Sequence, residues 1–283
     1  ALGDGRLASG SEDKTIKIWN TEMGHCNLTL TGHSGKVKSL CDLQNGRMAS
    51  FSHDSTIKIW EIATGLCNLT LTVQSEKISS LSAVGDGRVA TLSDDNTIHI
   101  WNSGTGQCDL TLTGHSKIVR SLCVFEDGRL GSGSGDKTIK IWNKVTGQCE
   151  LTLTGHGGVV SSICNLGDGR VASLSEDLTI KIWNIEKGQC DITLTGDYSW
   201  IYSLHVDGEG RLMGEGLFGS AALWDQSAGT GSEVSAAVTS QHFPPFLALP
   251  FCDGVIGDAV FSPNRIALSV DHKVFFFMYH RAP

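Results

Sequence analysis

Three times in this 283-residue chain a histidine is followed by a serine 17 positions on and an aspartate 21 positions on: His33, Ser50 and Asp54; His115, Ser132 and Asp136; His156, Ser173 and Asp177. These are the residue types of a hydrolase that activates serine through a carboxylate-steered imidazole. Two features argue for a different chemistry. No G-x-S-x-G elbow stands beside any of the three serines, so the local sequence supplies neither the strained turn nor the oxyanion amides of acyl transfer. Each set also ends, six residues beyond its aspartate, at a tryptophan: Trp60, Trp142 or Trp183. An aspartate that binds a histidine, a histidine that binds a serine and a serine that takes the indole N–H form a chain in which each buried polar group satisfies another. The expectation is three structural tetrads, no catalytic residue and no enzyme. The remaining histidines and cysteines lack C-x-x-C or H-x-x-x-H spacing and no G-x-x-x-x-G-K loop occurs, so neither a metal nor another cofactor is expected.

What positions these groups is a repeat. Trp19, Trp60, Trp101, Trp142, Trp183 and Trp224 recur every 41 residues, as do Arg6, Arg47, Arg88, Arg129, Arg170 and Arg211. A period near 40 marks a stack or ring of small units. In the second unit Val37 to Leu40 alternates after a Gly-His pair, Arg47 to Ser50 follows an Asn-Gly turn, Thr56 to Trp60 is β-branched and Leu69 to Thr72 leads onward. Each unit therefore reads as four short antiparallel strands. Such a sheet has apolar side chains on both faces and must bury them against its neighbours; radial stacking into a closed ring leaves only short edges.

Gly32-His33, Gly114-His115 and Gly155-His156, each followed by T-I-K-I-W, resemble the WD repeats of β-propeller proteins over residues 1–225. The second signature letter departs from the name, since Asn20, Glu61, Asn102, Asn143 and Asn184 follow their tryptophans and only Trp224 precedes an aspartate. The third unit has Val73-Gln74 in place of Gly-His and keeps Thr91, Asp95 and Trp101; the sixth has Asp197, Gly214 and Phe218 where the tetrad needs His, Ser and Asp. The sixth should be the least regular repeat. After Asp225 the period fails, and strand-like runs return at Val255 to Phe261, Arg265 to Val270 and Lys273 to Met278. The expected fold is all-β: a seven-bladed β-propeller of four-stranded antiparallel blades, one domain over residues 1–283, with a degenerate last blade and ring closure over 226–283. The chain begins at the second strand of its first blade, so either an upstream segment or a strand from residues 243–279 must close the ring.

Composition bounds the function. A formal charge of -8 argues against nucleic-acid or anionic-membrane binding over the whole surface. No apolar run approaches the roughly 18 residues of a membrane-spanning helix, and no secretory leader is visible. Cys26, Cys67, Cys108, Cys149 and Cys190 share one repeat position and Cys41, Cys123 and Cys164 another. The two sets fall on the outermost and innermost strands, roughly 14 Å apart at three strand spacings, too far for disulfides. Reduced thiols in the cytoplasm or another reducing intracellular compartment follow, where the N-x-T sequons at Asn27 and Asn68 stay unmodified.

The resemblance also implies where partners bind, since members of this family commonly bind peptides over the top entrance of the central channel. The positions that flank the first apolar residue of the innermost strand, and the residue before the turn aspartate, are Lys36, Lys38 and His53; Lys77, Ser79 and Asp94; Ile118, Arg120 and Gly135; Val159, Ser161 and Glu176; Trp200 and Tyr202; and Glu12 in the first unit. They vary in a chain that otherwise repeats closely, as a binding surface on a constant scaffold should. Lys36, Lys38, Lys77 and Arg120 are basic in an acidic chain and Trp200 and Tyr202 are aromatic, a combination suited to an acidic or phosphorylated segment. The competing reading of the lysines is ordinary solvated charge. The expected function is a scaffold for protein or peptide partners within a larger complex; a structural subunit of a large assembly is the first alternative. The T-G-x-C and T-L-T-G-H pieces at Thr146 to Cys149 and Thr152 to His156 are similar to those of F-box WD-repeat substrate receptors, in which arginines at the positions of Lys38 and Arg120 bind phosphate. A ubiquitin-ligase receptor fragment is therefore a further alternative. The arginine series, each with an acid or amide two residues before it, is expected to stabilise turns at the opposite end of each sheet.

Overall fold

A computed structural model describes residues 2–73, 78–196, 198–199, 201–207 and 210–216, the side chain of residue 79 aside, and gives backbone strands over 221–224, 256–262, 265–270 and 273–278. The first sheet is three-stranded: β1 (Leu7–Gly10), β2 (Ile16–Trp19) and β3 (Cys26–Leu30). Four sheets of four strands follow. They are β4 (Val37–Gln44), β5 (Arg47–Ser52), β6 (Thr56–Glu61) and β7 (Cys67–Thr72); β8 (Ile78–Ala83), β9 (Arg88–Ser93), β10 (Ile98–Asn102) and β11 (Cys108–Leu112); β12 (Val119–Val124), β13 (Leu130–Ser134), β14 (Ile139–Trp142) and β15 (Cys149–Leu153); and β16 (Val160–Gly167), β17 (Arg170–Ser175), β18 (Thr179–Asn184) and β19 (Gln189–Thr195). A sixth sheet holds β20 (Ile201–Val206), β21 (Leu212–Gly216) and β22 (Ala221–Trp224). Three further strands, β23 (Ile256–Ser262), β24 (Arg265–Val270) and β25 (Lys273–Met278), pair antiparallel with one another. Four strands per sheet is thus an expectation that the first sheet, which holds three, does not meet. The fourth strand of the sixth sheet would fall outside the described residues.

The chain divides into two compact units, Ala1–Thr91 with Ile100–Asp109 and Leu249–Pro283, and Leu92–His99 with Leu110–Ala248. In the first, one core gathers Ile16, Ile18 and Leu30 with Val37, Met48 and Trp60, and a second gathers Phe51, Ile57, Ile59 and Leu71 with Val73, Ile78 and Leu81. In the second, Ile139, Ile141 and Leu153 pack with Val160, Ile163 and Trp183, and Leu174, Ile180 and Ile182 with Ile201, Leu204 and Leu212. The period-2 strands explain this: Ile57 and Ile59 are buried while Lys58 between them is half-exposed. Within the first unit the first sheet buries a face against the second and the second against the third, and within the second unit the fourth does so against the fifth and the fifth against the sixth; each such side chain contributes roughly 1.5–3 kcal/mol.

Two local devices set the strand ends. The turn between the second and third strands of a sheet places a residue after the aspartate at positive φ, as at Ser55 (60°), Asn96 (71°), Lys137 (72°) and Leu178 (63°). At the other end, Arg6 and Arg129 bind back to Asp4 and Asp127, Nε to Oδ2 at 2.8 and 2.7 Å. Arg211 departs from the expected spacing of two: its guanidinium reaches Asp207, four residues back, at 2.7 Å, while residue 209 lies outside the described residues.

Candidate functional site

The three Ser/His/Asp sets are assembled inside their sheets. In the second sheet His33 Nδ1 lies 2.9 Å from Asp54 Oδ2, His33 Nε2 lies 2.7 Å from Ser50 Oγ, and Trp60 Nε1 donates to the same oxygen at 2.7 Å. The fourth sheet repeats this with His115, Asp136, Ser132 and Trp142, all three distances being 2.7 Å. In the fifth, His156 lies 2.9 Å from Asp177 and 2.7 Å from Ser173, and Trp183 donates at 2.8 Å. The preceding glycine makes the packing possible: Gly32 has φ +143°, and a Cβ there would sit 3.4 Å from the Trp60 ring.

Proton placement follows from the donors. Trp N–H occupies one lone pair of the serine oxygen, so the serine O–H points to Nε2, and Nδ1–H points to the carboxylate. Burial of the ring, opposed by the hydrogen bond and charge of the aspartate, holds all three histidines below their ordinary value of 6.5, which keeps the imidazoles neutral at neutral pH. Each carboxylate is partly buried, which works to raise its pKa, but the Thr56, Thr138 or Thr179 hydroxyl, the histidine and a loop amide outweigh that. Asp136 falls to about 2, and Asp54 and Asp177 are also lowered. Ser50, Ser132 and Ser173 are fully buried. The nucleophile geometry is present, but each oxygen is fully buried and already held between an imidazole and an indole N–H, so no carbonyl can approach it.

The third sheet keeps only part of this chain. Trp101 Nε1 donates to Thr91 Oγ1 at 3.0 Å, and Asp95 Oδ1 accepts from Thr97 at 2.6 Å. Val73 stands where the other units have glycine and is buried in the core beside Phe51, Ile78 and Leu81. Gln74, Asp197 and Phe218 lie outside the described residues; Gly214 is on β21 and carries no hydroxyl.

The residues expected to meet partners share a backbone feature that sequence reasoning missed. The opening strands of the second, fourth, fifth and sixth sheets carry register shifts between Val37 and Ser39, Val119 and Ser121, Val160 and Ser162, and Ile201 and Ser203. The residue inside each bulge is Lys38, Arg120, Ser161 or Tyr202. A bulge breaks strict alternation and re-aims side chains. Lys38, Arg120 and Tyr202 are exposed and Ser161 is half-exposed. His53, Asp94 and Glu176, before their turns, are exposed, whereas Gly135 is buried. Lys36 is exposed but bound to Glu12 at 2.5 Å, so its charge is shared. Lys77 and Trp200 lie outside the described residues.

The serine after each bulge does separate work. Ser39, Ser121 and Ser162 accept from the amides of Leu81, Ile163 and Leu204 in the opening strand of the next sheet, at 3.1, 3.1 and 3.0 Å. An opening strand is an edge strand with N–H groups that its own sheet leaves unpaired, and these hydroxyls take one each. Ser39, Ser80, Ser121, Ser162 and Ser203 keep the 41-residue period, which marks the position but does not say which amide a hydroxyl takes.

The cysteine positions fall on the last and first strands of their sheets, and among the described residues eight cysteines are thiols in no disulfide. Burial pushes Cys41 and Cys164 up to about 12 and raises Cys123 further. Among the described residues no group of three or more His, Cys, Asp or Glu side chains could hold a metal ion, and no helix is long and apolar enough to cross a membrane.

The model of the family described as WD domain, G-beta repeat matches residues 3–20, 24–61, 65–102, 106–143 and 147–184. Each segment ends one residue after Trp19, Trp60, Trp101, Trp142 or Trp183, and the sixth unit, which departs from the tetrad, is not among them. Repeats of this type are generally protein-interaction scaffolds and are typically non-enzymatic. With more than half its residues matched and its sheets built on the Trp-anchored hydrogen-bond chain, the protein belongs to the WD40 repeat family.

Proposed function

We propose that this chain is a scaffold that binds peptide or protein partners, among them acidic or phosphorylated segments, through the loop ends of its opening strands, and that it performs no catalysis. The observation that carries this is the contrast at the bulges. Val37, Val119, Val160 and Ile201 are all apolar and buried, while the next residue is an exposed Lys38, Arg120 or Tyr202 or the half-exposed Ser161. A scaffold constrains the first series by packing and leaves the second to the partner. Lys36, Lys38, His53, Lys77, Arg120, Glu176, Trp200 and Tyr202 are the proposed contacts. Recognition of a phosphorylated degron as part of a ubiquitin ligase is a narrower form of the same proposal, supported by the cations at positions 38 and 120. A seven-bladed ring closed by residues 226–283, action within a larger complex and a reducing compartment belong to this reading as well; among the described residues eight cysteines in no disulfide support the last.

The test is comparative affinity purification with mass spectrometry, using wild type and a Lys38→Glu, Arg120→Glu, Trp200→Ala triple variant, with Asp191→Lys on a fourth strand as control. Loss of specific partners only in the triple variant is expected. An unchanged partner list would overturn the proposed contact surface.

A further inference from the structure

The loop end of the fourth sheet exchanges a glycine for a lysine. In the second and fifth sheets the residue three before the bulge residue is Gly35 or Gly158, and a Cβ added there would sit 2.6 Å from the amide nitrogen of Asp54 or Asp177, so those loops exclude a side chain. Across the loop the same two sheets carry His53 and Glu176, both exposed. The fourth sheet reverses the pair: Lys117 stands at the glycine position, and Gly135 stands where the others have His53 and Glu176. A Cβ on Gly135 would lie 3.3 Å from Lys117 Cβ and 3.8 Å from its Cδ, so the lysine stem covers the glycine while its ammonium end stays in solvent. The Ser134 hydroxyl donates to the Lys117 carbonyl at 2.8 Å, and the Gly135 amide donates to the Ile118 carbonyl at 2.9 Å. These bonds fix the backbone from which the lysine leaves.

The exchange also reverses the charge. Where the fifth sheet, packed on the fourth, presents Ser161 and Glu176, the fourth presents Arg120 and Lys117, both exposed. Among the described residues neither cation has a side-chain hydrogen bond or an ion pair. The carboxylate of this loop end, Asp136, is already engaged: Oδ2 accepts from His115 Nδ1 and the Ser116 amide, and Oδ1 accepts from the Thr138 amide and hydroxyl. Lys137, exposed in the same turn, adds a third positive charge. Three residues separate Lys117 from Arg120, at most about 10 Å of backbone, so two long side chains can close on one group. We propose that Lys117 and Arg120 clamp one phosphoryl group of the bound segment, a phosphoserine or phosphothreonine. The guanidinium fork takes two oxygens and the ammonium the third. A phosphoryl group carries nearly two negative charges at neutral pH and three acceptor oxygens, so the clamp selects it over the single charge of an acidic side chain. Glu176 on the adjoining sheet ends the positive patch, which suits one compact anion rather than the continuous charge of a nucleic acid or an anionic membrane. This rests on the scaffold reading above and deepens it, placing the phosphate on the fourth sheet and adding Lys117 to the contacts.

The test uses the full chain and paired peptide libraries with randomised flanks around a central phosphoserine or serine. The best-retained sequences are then made with phosphoserine, glutamate or serine at the centre and measured by fluorescence polarisation. Wild type is expected to bind the phosphoserine form at least about tenfold more tightly than the glutamate form. Lys117→Gly combined with Gly135→Glu rebuilds the loop of the fifth sheet, so the thermal midpoint should stay within a few degrees of wild type while the phosphoserine preference disappears. Lys117→Gln, which keeps the stem over Gly135, should reduce the preference several-fold, and Lys117→Arg should retain it. A preference that survives both Lys117→Gln and the double variant overturns the clamp. Peptides retained regardless of phosphorylation overturn it as well and leave the scaffold reading standing. Lys117-dependent binding of an oligouridylate or of phosphatidylserine vesicles, without preference for phosphopeptides, overturns it in favour of another partner class. Failure of the scaffold reading looks different: wild type retains no peptide from either library.

Discussion

Replacing Ser132 by alanine tests the structural assignment of the Ser/His/Asp sets. Ser132 Oγ bridges His115 Nε2 and Trp142 Nε1, each at 2.7 Å, and all three side chains are buried. Deleting the hydroxyl orphans one acceptor and one donor that water cannot reach. Each unsatisfied buried group costs about 1–3 kcal/mol, so Ser132→Ala should lose about 2–6 kcal/mol, a large share of the roughly 5–15 kcal/mol that holds a domain together. The third sheet supplies the control. Thr91 accepts from the half-exposed Trp101, and Thr91→Val orphans only a donor that solvent can partly serve, for about 1 kcal/mol. Urea unfolding followed by tryptophan fluorescence gives both values from midpoint and slope. Adding Trp142→Phe to Ser132→Ala should cost less than the two single changes together, because the orphaned donor is gone. If Ser132→Ala costs no more than Thr91→Val, the network does not organise the sheet and the hydrolase reading of these residues reopens.

Acidification should weaken the fold in two stages. Buried neutral histidines whose folded pKa lies below 6.5 take up protons on unfolding, so stability is full above pH 6.5 and declines as pH falls below it; the lowered aspartates add a second loss below 3.8. Thermal midpoints measured from pH 8 to pH 3 should show both, and a flat profile between 6.5 and 4.5 would contradict the neutral-imidazole assignment. Leu178 holds φ +63° at a turn position where Asn96 stands in the third sheet, so Leu178→Asn should stabilise by about 0.5–1 kcal/mol, read as a rise in the urea midpoint. Among the described residues the buried Ser103 Oγ meets no hydrogen-bond partner, where Ile62 and Ile185 are buried apolar residues; Ser103→Val should add about 1 kcal/mol, and a drop in the thermal midpoint would show that the site cannot take the extra methyl groups.

How much was legible depends on whether a feature recurs at the period. The 41-residue step of tryptophan, arginine and the Gly-His pairs predicted antiparallel sheets of the observed order, because hydrophobic alternation and turn residues are local signals. The tetrad partners could be named in advance, since a buried indole, imidazole and hydroxyl at fixed register have few ways to satisfy one another. Within the candidate surface, the variable positions were visible as breaks in an otherwise constant pattern, but their orientation was not. Lys38 and Arg120 face outward because of a one-residue bulge, and Lys36 is tied to Glu12 across 24 residues.

Determined by the sequence alone were the period, the strand type and the polar chain within each unit, all consequences of residues near one another along the strand or across one hairpin. Only the tertiary structure decided what passes between successive sheets: that Ser39, Ser121 and Ser162 hold the amides of the following sheet. Those contacts depend on how one sheet lies against another and on which residue a bulge turns aside. Spacing along the chain encodes neither, because both are settled by packing over distances that no single repeat spans.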